Sequence, residues 1–432
     1  MDSLIILKAK SARGVCHLPG SKSISNRVLL LASLCEKPTI LRSLLNADDV
    51  RFMRDALSRL GVGVESLGGD DWRIIGNDGR FKEKSAKLFL GNAGTAVRPL
   101  TAVLAVLGGN YEIDGVMRMR ERPITDLIDA LRMLGCHIDY CDKSGFLPLR
   151  IEPRNLSIFP EKVTVRGDVS SQFLSALLMA LPLLPKDEKM FTEVELSTPL
   201  ISRPYVEITM HLMARFGVIV EMSNADRFRV PRGITYRSPD EIIVESDASS
   251  ASYFIAAGVL GGGPIRICGV GRDSIQGDIA FAEFLRQQGA NILLADNYID
   301  ARIGKPFVGG EINCIAIPDA AMTLAMTALK AQTPTTLTHI GSWRVKETDR
   351  ISAMSTELRK TGARVESGAD WLKIFPAETL RHAKIDTYDD HRMAMCFSLL
   401  ALLDTDVTIN DPKTVSKTFP GYFDEYKKLL RY

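Results

Sequence analysis

Six times along the chain, a start of small polar residues runs straight into an Ala-, Leu- or Met-rich stretch. The copies are SKSISNRVLLLASL from 21, NAGTAVRPLTAVLAVL from 92, DVSSQFLSALLMAL from 168, DASSASYFIAAGVL from 247, DAAMTLAMTALKA from 319 and DDHRMAMCFSLLAL from 389. Their starts lie about 70 to 80 residues apart, and a fixed period indicates stacked supersecondary units. An amphipathic second helix follows each run, and in five copies it stops at a glycine, at 61, 135, 217, 289 and 362. Glycine takes the left-handed conformation that ends a helix. The sixth copy ends in the chain's last helix, YFDEYKKLL. With β-rich stretches such as GGPIRICGVG between the helices, each copy reads strand–helix–strand–helix–strand–strand. The first helix of each copy is apolar nearly all round, so it is expected to be buried, with the amphipathic helix outside it.

These copies are longer than solenoid repeats, and 432 residues exceed one ordinary core. Six copies fit two domains of three. A crossover is expected in YRSPDEI, 236–242, and another near Pro19 and Gly20. The expected domains are therefore residues 21–239, and residues 1–20 together with 240–432. A net charge of +2 gives no electrostatic support for a nucleic-acid or membrane-surface role. The longest nearly apolar run, FLSALLMALPLL at 173–184, is too short to span a bilayer. MDSLIILKAKSARG has no apolar signal core and reads as an opening strand. Seven scattered cysteines, without a C-x-x-C pair, suit reduced thiols in a cytoplasm and neither a disulfide framework nor a zinc site.

Charged and hydroxyl side chains gather where the buried helices begin. LPGSKSISNR, 18–27, sets Lys22, Arg27, Ser21, Ser23 and Ser25 at the first of these starts. Serines cap helices, but cations are disfavoured at the positive end of a helix dipole unless an anion joins them. Other starts carry Asn92, Gly94, Thr95 and Arg98; Arg120 and Arg122 in RMRERPI; Ser170, Ser171 and Gln172; and Ser202 and Tyr205 in LISRPY. The second half adds Asp319, then Lys346, Glu347, Asp349 and Arg350 in WRVKETDR, then His391, Arg392 and Lys417. Taken singly, Asp319 reads as an N-cap and KETDR as a solvated first turn. Recurrence at the same address in all six copies points instead to an anionic ligand, held in a cleft between the domains if the buried helices run parallel.

The motifs PGSKSISNR, LGNAGTAVRPL, RMRERPI, GDVSSQFL, PDAAMT, WRVKETDRI, DDHRMAM and KTFPGYF cover the chain in order. In this series it resembles the 5-enolpyruvylshikimate-3-phosphate synthase family. The resemblance implies a two-domain inside-out α/β barrel, each domain three βαβαββ repeats around buried parallel helices. It implies transfer of the enolpyruvyl group of phosphoenolpyruvate to the 5-hydroxyl of shikimate 3-phosphate, without metal or organic cofactor. By resemblance, Lys22, Ser23, Arg27, Ser170, Ser171, Gln172, Ser202 and Tyr205 would hold shikimate 3-phosphate, and Asp319 and Lys346 its hydroxyls. Lys22, Asn92, Gly94, Thr95, Arg122, Gln172, Arg350, Arg392 and Lys417 would serve phosphoenolpyruvate. The family commonly has Asn where Ser342 stands; a hydroxyl reaches a substrate oxygen there by a shorter arm or a water.

Two phosphates and two carboxylates would meet in one cleft, which requires compensating cations: bidentate arginines for planar anions, lysine as a movable point charge. Asp319 would take the 5-hydroxyl proton; Glu347 would exchange the proton at the enol methylene while Lys22 stabilises charge or donates a proton, and the roles of Glu347 and Lys22 are interchangeable on the sequence. The chain is expected to act as a monomer on small molecules in the cytoplasm, with no nucleic-acid or membrane partner. The alternative is the sister transferase acting on UDP-N-acetylglucosamine, whose reactive loop cysteine this chain does not visibly reproduce. A non-catalytic phosphate-binding protein would be free to lose Asp319, Glu347 or Lys22, and an RNA 3′-phosphate cyclase would require a nucleophilic histidine, for which His391 is the candidate.

Overall fold

A computed structural model describes residues 2–153, 160–186 and 190–432. The chain divides into two compact units, one of Gly20–Val244 and one of Met1–Pro19 with Glu245–Tyr432. The second copy shows the pattern most plainly. Strand Ser85–Phe89, helix Gly94–Leu107, strand Asn110–Asp114 and helix Thr125–Met133 lead into the pair His137–Tyr140 and Leu149–Glu152. The first two strands pair in parallel, Leu149–Glu152 runs antiparallel to Asn110–Asp114, and His137–Tyr140 closes the edge. The third copy orders Lys162–Val165, Phe191–Leu196, Arg227–Pro231 and Glu221–Asn224 in the same way.

Three copies borrow a strand from a distant part of the chain. The first copy's sheet is completed by Glu241–Ile243, parallel to Thr39–Arg42, and the Val244 N–H donates to the Arg42 carbonyl at 2.9 Å. Backbone groups in a sheet need partners, so these residues stay with the first unit. The crossover therefore falls after Val244, later than the sequence pattern places it. In the other unit, Ser11–His17 lies parallel to Gly262–Cys268 in the fourth copy. Ser3–Ile6 runs antiparallel to Val407–Asn410 in the sixth, beside Ala383–Ile385. The fifth copy orders Gly310–Asn313, Thr335–Thr338, Leu372–Ile374 and Val365–Ser367. Gly20 belongs to the unit of residues 20–244, where a Cβ would lie 2.3 Å from the Ser43 carbonyl oxygen; only glycine allows that approach.

The first helix of each copy is buried over nearly its whole length: Lys22–Ser33, Gly94–Leu107 and Ser171–Ala180 in one unit, Ala248–Leu260, Ala321–Ala328 and His391–Ser398 in the other. A helix satisfies its own backbone groups, so its apolar residues can be buried on every side, each Leu or Ile contributing about 1.5–3 kcal/mol. The second helices bury one face. Among the described residues no helix is long and apolar enough to cross a membrane, and all seven cysteines are unbridged.

Candidate active site

In the unit of residues 20–244 the polar residues fall into small groups at the starts of the buried helices. Ser21 precedes the helix Lys22–Ser33 in extended conformation and its side chain makes no capping bond. The buried ammonium of Lys22 lies 3.4 Å from the carboxylate of buried Asp49, a residue of the neighbouring helix Asp48–Arg59. Arg27 donates Nε to Thr209 Oγ1 at 2.8 Å, Nη1 to the Ser23 carbonyl at 2.8 Å and Nη2 to the Tyr205 carbonyl at 3.1 Å. It thus braces the helix Arg203–Arg215, and burial pulls its guanidinium down to about 10. Two of its five N–H donors reach that helix and a third is used within its own helix, at Ser23. Ser202 opens that helix in the left-handed region, with φ 52°.

Arg122 donates Nη1 to both the carbonyl (3.1 Å) and the Oδ1 (3.0 Å) of Asn92. A Cβ on Gly94 would stand 2.6 Å from Arg98 Nη1, 2.9 Å from Arg122 Nη2 and 3.1 Å from Gln172 Oε1. Two guanidiniums and an amide therefore converge on one bare backbone position. Thr95 accepts from Asn26 Nδ2 at 2.7 Å. Ser170 caps its helix, its hydroxyl accepting from the Gln172 N–H at 3.3 Å, and Ser171 is buried beside it.

In the unit containing residues 245–432, Asp319 stands one residue before the N-cap of its helix, Ala320. Its carboxylate is thereby left to side chains. Oδ1 accepts from Arg350 Nη1 at 2.9 Å and lies 3.6 Å from Lys346 Nζ, while Oδ2 accepts from Arg392 Nη2 at 3.0 Å. Arg350 is 1% exposed. It also donates Nη2 to Glu347 Oε2 at 2.9 Å and Nε to Asp390 Oδ2 at 2.7 Å. Arg392 donates Nη1 to the Tyr253 hydroxyl at 3.1 Å, and its backbone N–H donates to the N-cap Asp390 at 2.9 Å. Trp343 donates Nε1 to the Pro318 carbonyl at 2.6 Å, which fixes the chain immediately before Asp319. KETDR is therefore no solvated turn: Glu347 and Arg350 are both buried.

Burial alone would raise the Asp319 carboxyl, but the charges of Arg392, Lys346 and Arg350 outweigh it and hold the group well below the usual carboxylate range. Burial likewise disfavours the charge on Arg350, yet Asp390, Glu347 and Asp319 push it above its usual value. Lys417 closes the turn Pro412–Lys417, buried. Burial raises the carboxyl of Asp389, and the charge of Lys417 offsets only part of that rise. Ser342 is half-buried on the turn Gly341–Val345. Among the described residues no group of three or more His, Cys, Asp or Glu is placed to hold a metal ion.

Three of the residues that complete these groups carry no assigned role in the motif reading. Asp49 and Asp390 stand in acidic pairs at helix starts that read as caps, and Tyr253 lies within an apolar run. Arg98 shares the GNAGTAVRP motif, but its aim at Gly94 depends on Pro123, whose carbonyl accepts from its Nη2 at 3.1 Å. No periodic signal in the sequence pairs these residues with their partners.

The family model described as EPSP synthase (3-phosphoshikimate 1-carboxyvinyltransferase) matches residues 7–426. The chain is 57% identical over 438 positions to the 3-phosphoshikimate 1-carboxyvinyltransferase of Burkholderia multivorans, covering 100% of both. It is 56% identical to that of Ralstonia nicotianae, covering 99% of both. Among solved structures, an EPSP synthase from Acinetobacter baumannii superposes with a TM-score of 0.81 at 24% identity, covering 99% of this chain and 98% of that one. The enolpyruvyl transferase NikO from Streptomyces tendae gives 0.75 at 16% identity, with 99% and 97% covered; likeness at these identities concerns the fold.

Proposed function

The chain belongs to the EPSP synthase family, and from that premise we propose that it transfers the enolpyruvyl group of phosphoenolpyruvate to the 5-hydroxyl of shikimate 3-phosphate. The reaction is a step of the shikimate pathway to aromatic amino acids. The 5-hydroxyl oxygen bonds to the central enol carbon while the methylene gains a proton. The resulting tetrahedral adduct then loses phosphate and a methyl proton, which restores the double bond.

The observation that carries this reading is the carboxylate of Asp319 held by Arg350, Arg392 and Lys346. A carboxylate so paired is ionised at neutral pH, and the two guanidiniums around it form a receptor for a planar anion. An arriving phosphoenolpyruvate competes with Asp319 for those arginines. Each ion pair lost raises the proton affinity of Asp319, so the base strengthens as its substrate binds. In this reading Asp319 takes the 5-hydroxyl proton, Glu347 exchanges the proton at the methylene, and Lys22 stabilises charge or donates a proton there. Ser23, Arg27, Ser170, Ser171, Gln172, Ser202, Tyr205, Ser342 and Lys346 hold shikimate 3-phosphate. Asn92, Gly94, Thr95, Arg122 and Lys417 join Arg350 and Arg392 as the residues assigned to phosphoenolpyruvate. The unbridged thiols fit the cytoplasm.

Phosphate release with shikimate 3-phosphate plus phosphoenolpyruvate tests the activity, against shikimate alone and UDP-N-acetylglucosamine. Release with the nucleotide sugar and none with shikimate 3-phosphate would overturn it. Asp319→Ala is expected to lower turnover at least about a hundredfold with shikimate 3-phosphate binding largely kept. Near-normal turnover would defeat the assignment of Asp319 as base.

A further inference from the structure

Arg350 and Glu357 lie seven residues apart on the helix Arg350–Lys360, two turns, and so share one face. Both reach the segment that precedes the helix His391–Ser398. Arg350 takes Asp390 at one end of that segment. Glu357, fully buried, takes the other. Its Oε1 accepts from the Tyr388 hydroxyl at 2.6 Å and its Oε2 from the Asp386 N–H at 3.1 Å. Lys360 binds both carboxylates, 2.8 Å from Glu357 and 2.7 Å from Asp386, and Asn410 Nδ2 donates to Asp386 at 2.7 Å.

Between these anchors the backbone is strained. Tyr388 and Asp389 both have positive φ, 53° and 55°. Two consecutive non-glycine residues in the left-handed region, one of them a bulky tyrosine, persist only where the surroundings over-determine them. The turn they form sets Asp390 between Arg350 and the first turn of the helix that carries Arg392. Among the described residues the partners of Glu357 are Tyr388, Asp386 and Lys360, none of them assigned to the chemistry, and the motif reading assigns Glu357 nothing.

We propose that Glu357, with Tyr388, is a positioning residue for the phosphoenolpyruvate anion site. The clasp holds the left-handed turn, the turn holds Asp390, and Asp390 aims Arg350 and caps the helix that presents Arg392. This rests on the reading that Arg350 and Arg392 receive that substrate's anion. Tyr388→Phe removes one hydrogen bond and keeps the ring; Glu357→Gln weakens the clasp from the other side.

Steady-state kinetics of the full chain tests it. Each variant is expected to raise the KM for phosphoenolpyruvate about tenfold, the effect of one hydrogen bond to a charged group. The KM for shikimate 3-phosphate should stay within about twofold. The double variant should be little worse than the worse single one, because both changes break the same link. Equal rises in both KM values, or multiplicative effects in the double variant, would mark a merely structural role and overturn the proposal. Arg392→Ala separates the two levels. If it raises the phosphoenolpyruvate KM while Tyr388→Phe does not, the clasp is refuted and the anion site stands. If Arg392→Ala leaves that KM unchanged, the anion-site reading falls and the clasp's role with it. Should Glu357→Gln fail to fold, the KM ratio of Tyr388→Phe decides alone.

Discussion

Asp278 is buried next to the polar groups of Asp319 and Arg392, accepts from the Ser249 hydroxyl, and has its carboxyl pushed up to about 6, first by burial and then by the charge of Asp319. The Ser249 hydrogen bond and Arg392 pull the other way, and Asp247 adds to the rise. A raised carboxyl pKa means that the folded chain binds a proton more tightly than the unfolded one. The associated stability is complete below the usual 3.8 and is lost as pH rises through about 6. Asp278→Asn keeps an acceptor for Ser249 and removes the charge. Its denaturation midpoint should match the parent's below pH 4 and exceed it above pH 6; an offset independent of pH would exclude this ionisation as the cause. Asp319 behaves oppositely. Its stabilisation is present above 3.8 and is lost only in stronger acid, so its ion pairs are intact at neutral pH.

Helix starts divide into those that cap themselves and those that leave a side chain for the site. Asp247, Asp349 and Asp390 are caps, each accepting a backbone N–H of its own first turn. Asp319 falls one position short of being a cap, and that displacement releases it to the arginines. Asp349 accepts from the Ser352 N–H at 3.2 Å, the Ser352 hydroxyl at 2.9 Å and Arg344 Nη1 at 2.8 Å. Asp349→Ala is expected to lower the stability of the chain by about 1 kcal/mol, and Asp349→Asn to recover most of it. Urea midpoints measure both; equal losses in the two variants would mean that the ion pair, not the cap, carries the effect. From sequence, the KETDR turn allows either a solvated cap or a site. A pattern of residue types does not reveal which side chain faces the protein interior.

At the scale of the whole molecule, the chain's first residues are structural parts of its last copies. Ser11–His17 sits between Gly262–Cys268 and Leu430–Arg431 in a five-stranded sheet, and Ser3–Ile6 edges another. Residues 245–432 produced without 1–19 are expected to lose cooperative thermal melting, because a central strand and an edge strand are missing, whereas residues 20–244 should melt cooperatively alone. A cooperative melt of 245–432 by itself would show that the borrowed strands are dispensable. The sixfold period, the buried and amphipathic helices, and the polar addresses at helix starts were determined by the sequence itself, because local periodicity and helix-end chemistry are written in neighbouring residues. The motif series likewise carried the family. Tertiary structure alone decided that residues 241–243 return to the first sheet, that Arg27 braces Thr209 and Tyr205, and that Asp49 faces Lys22. It also decided that Glu357 reaches across to Tyr388. Such pairings join residues 27 to about 200 positions apart, and hydrogen bonds and ion pairs at that range depend on how the elements pack, which no local pattern encodes.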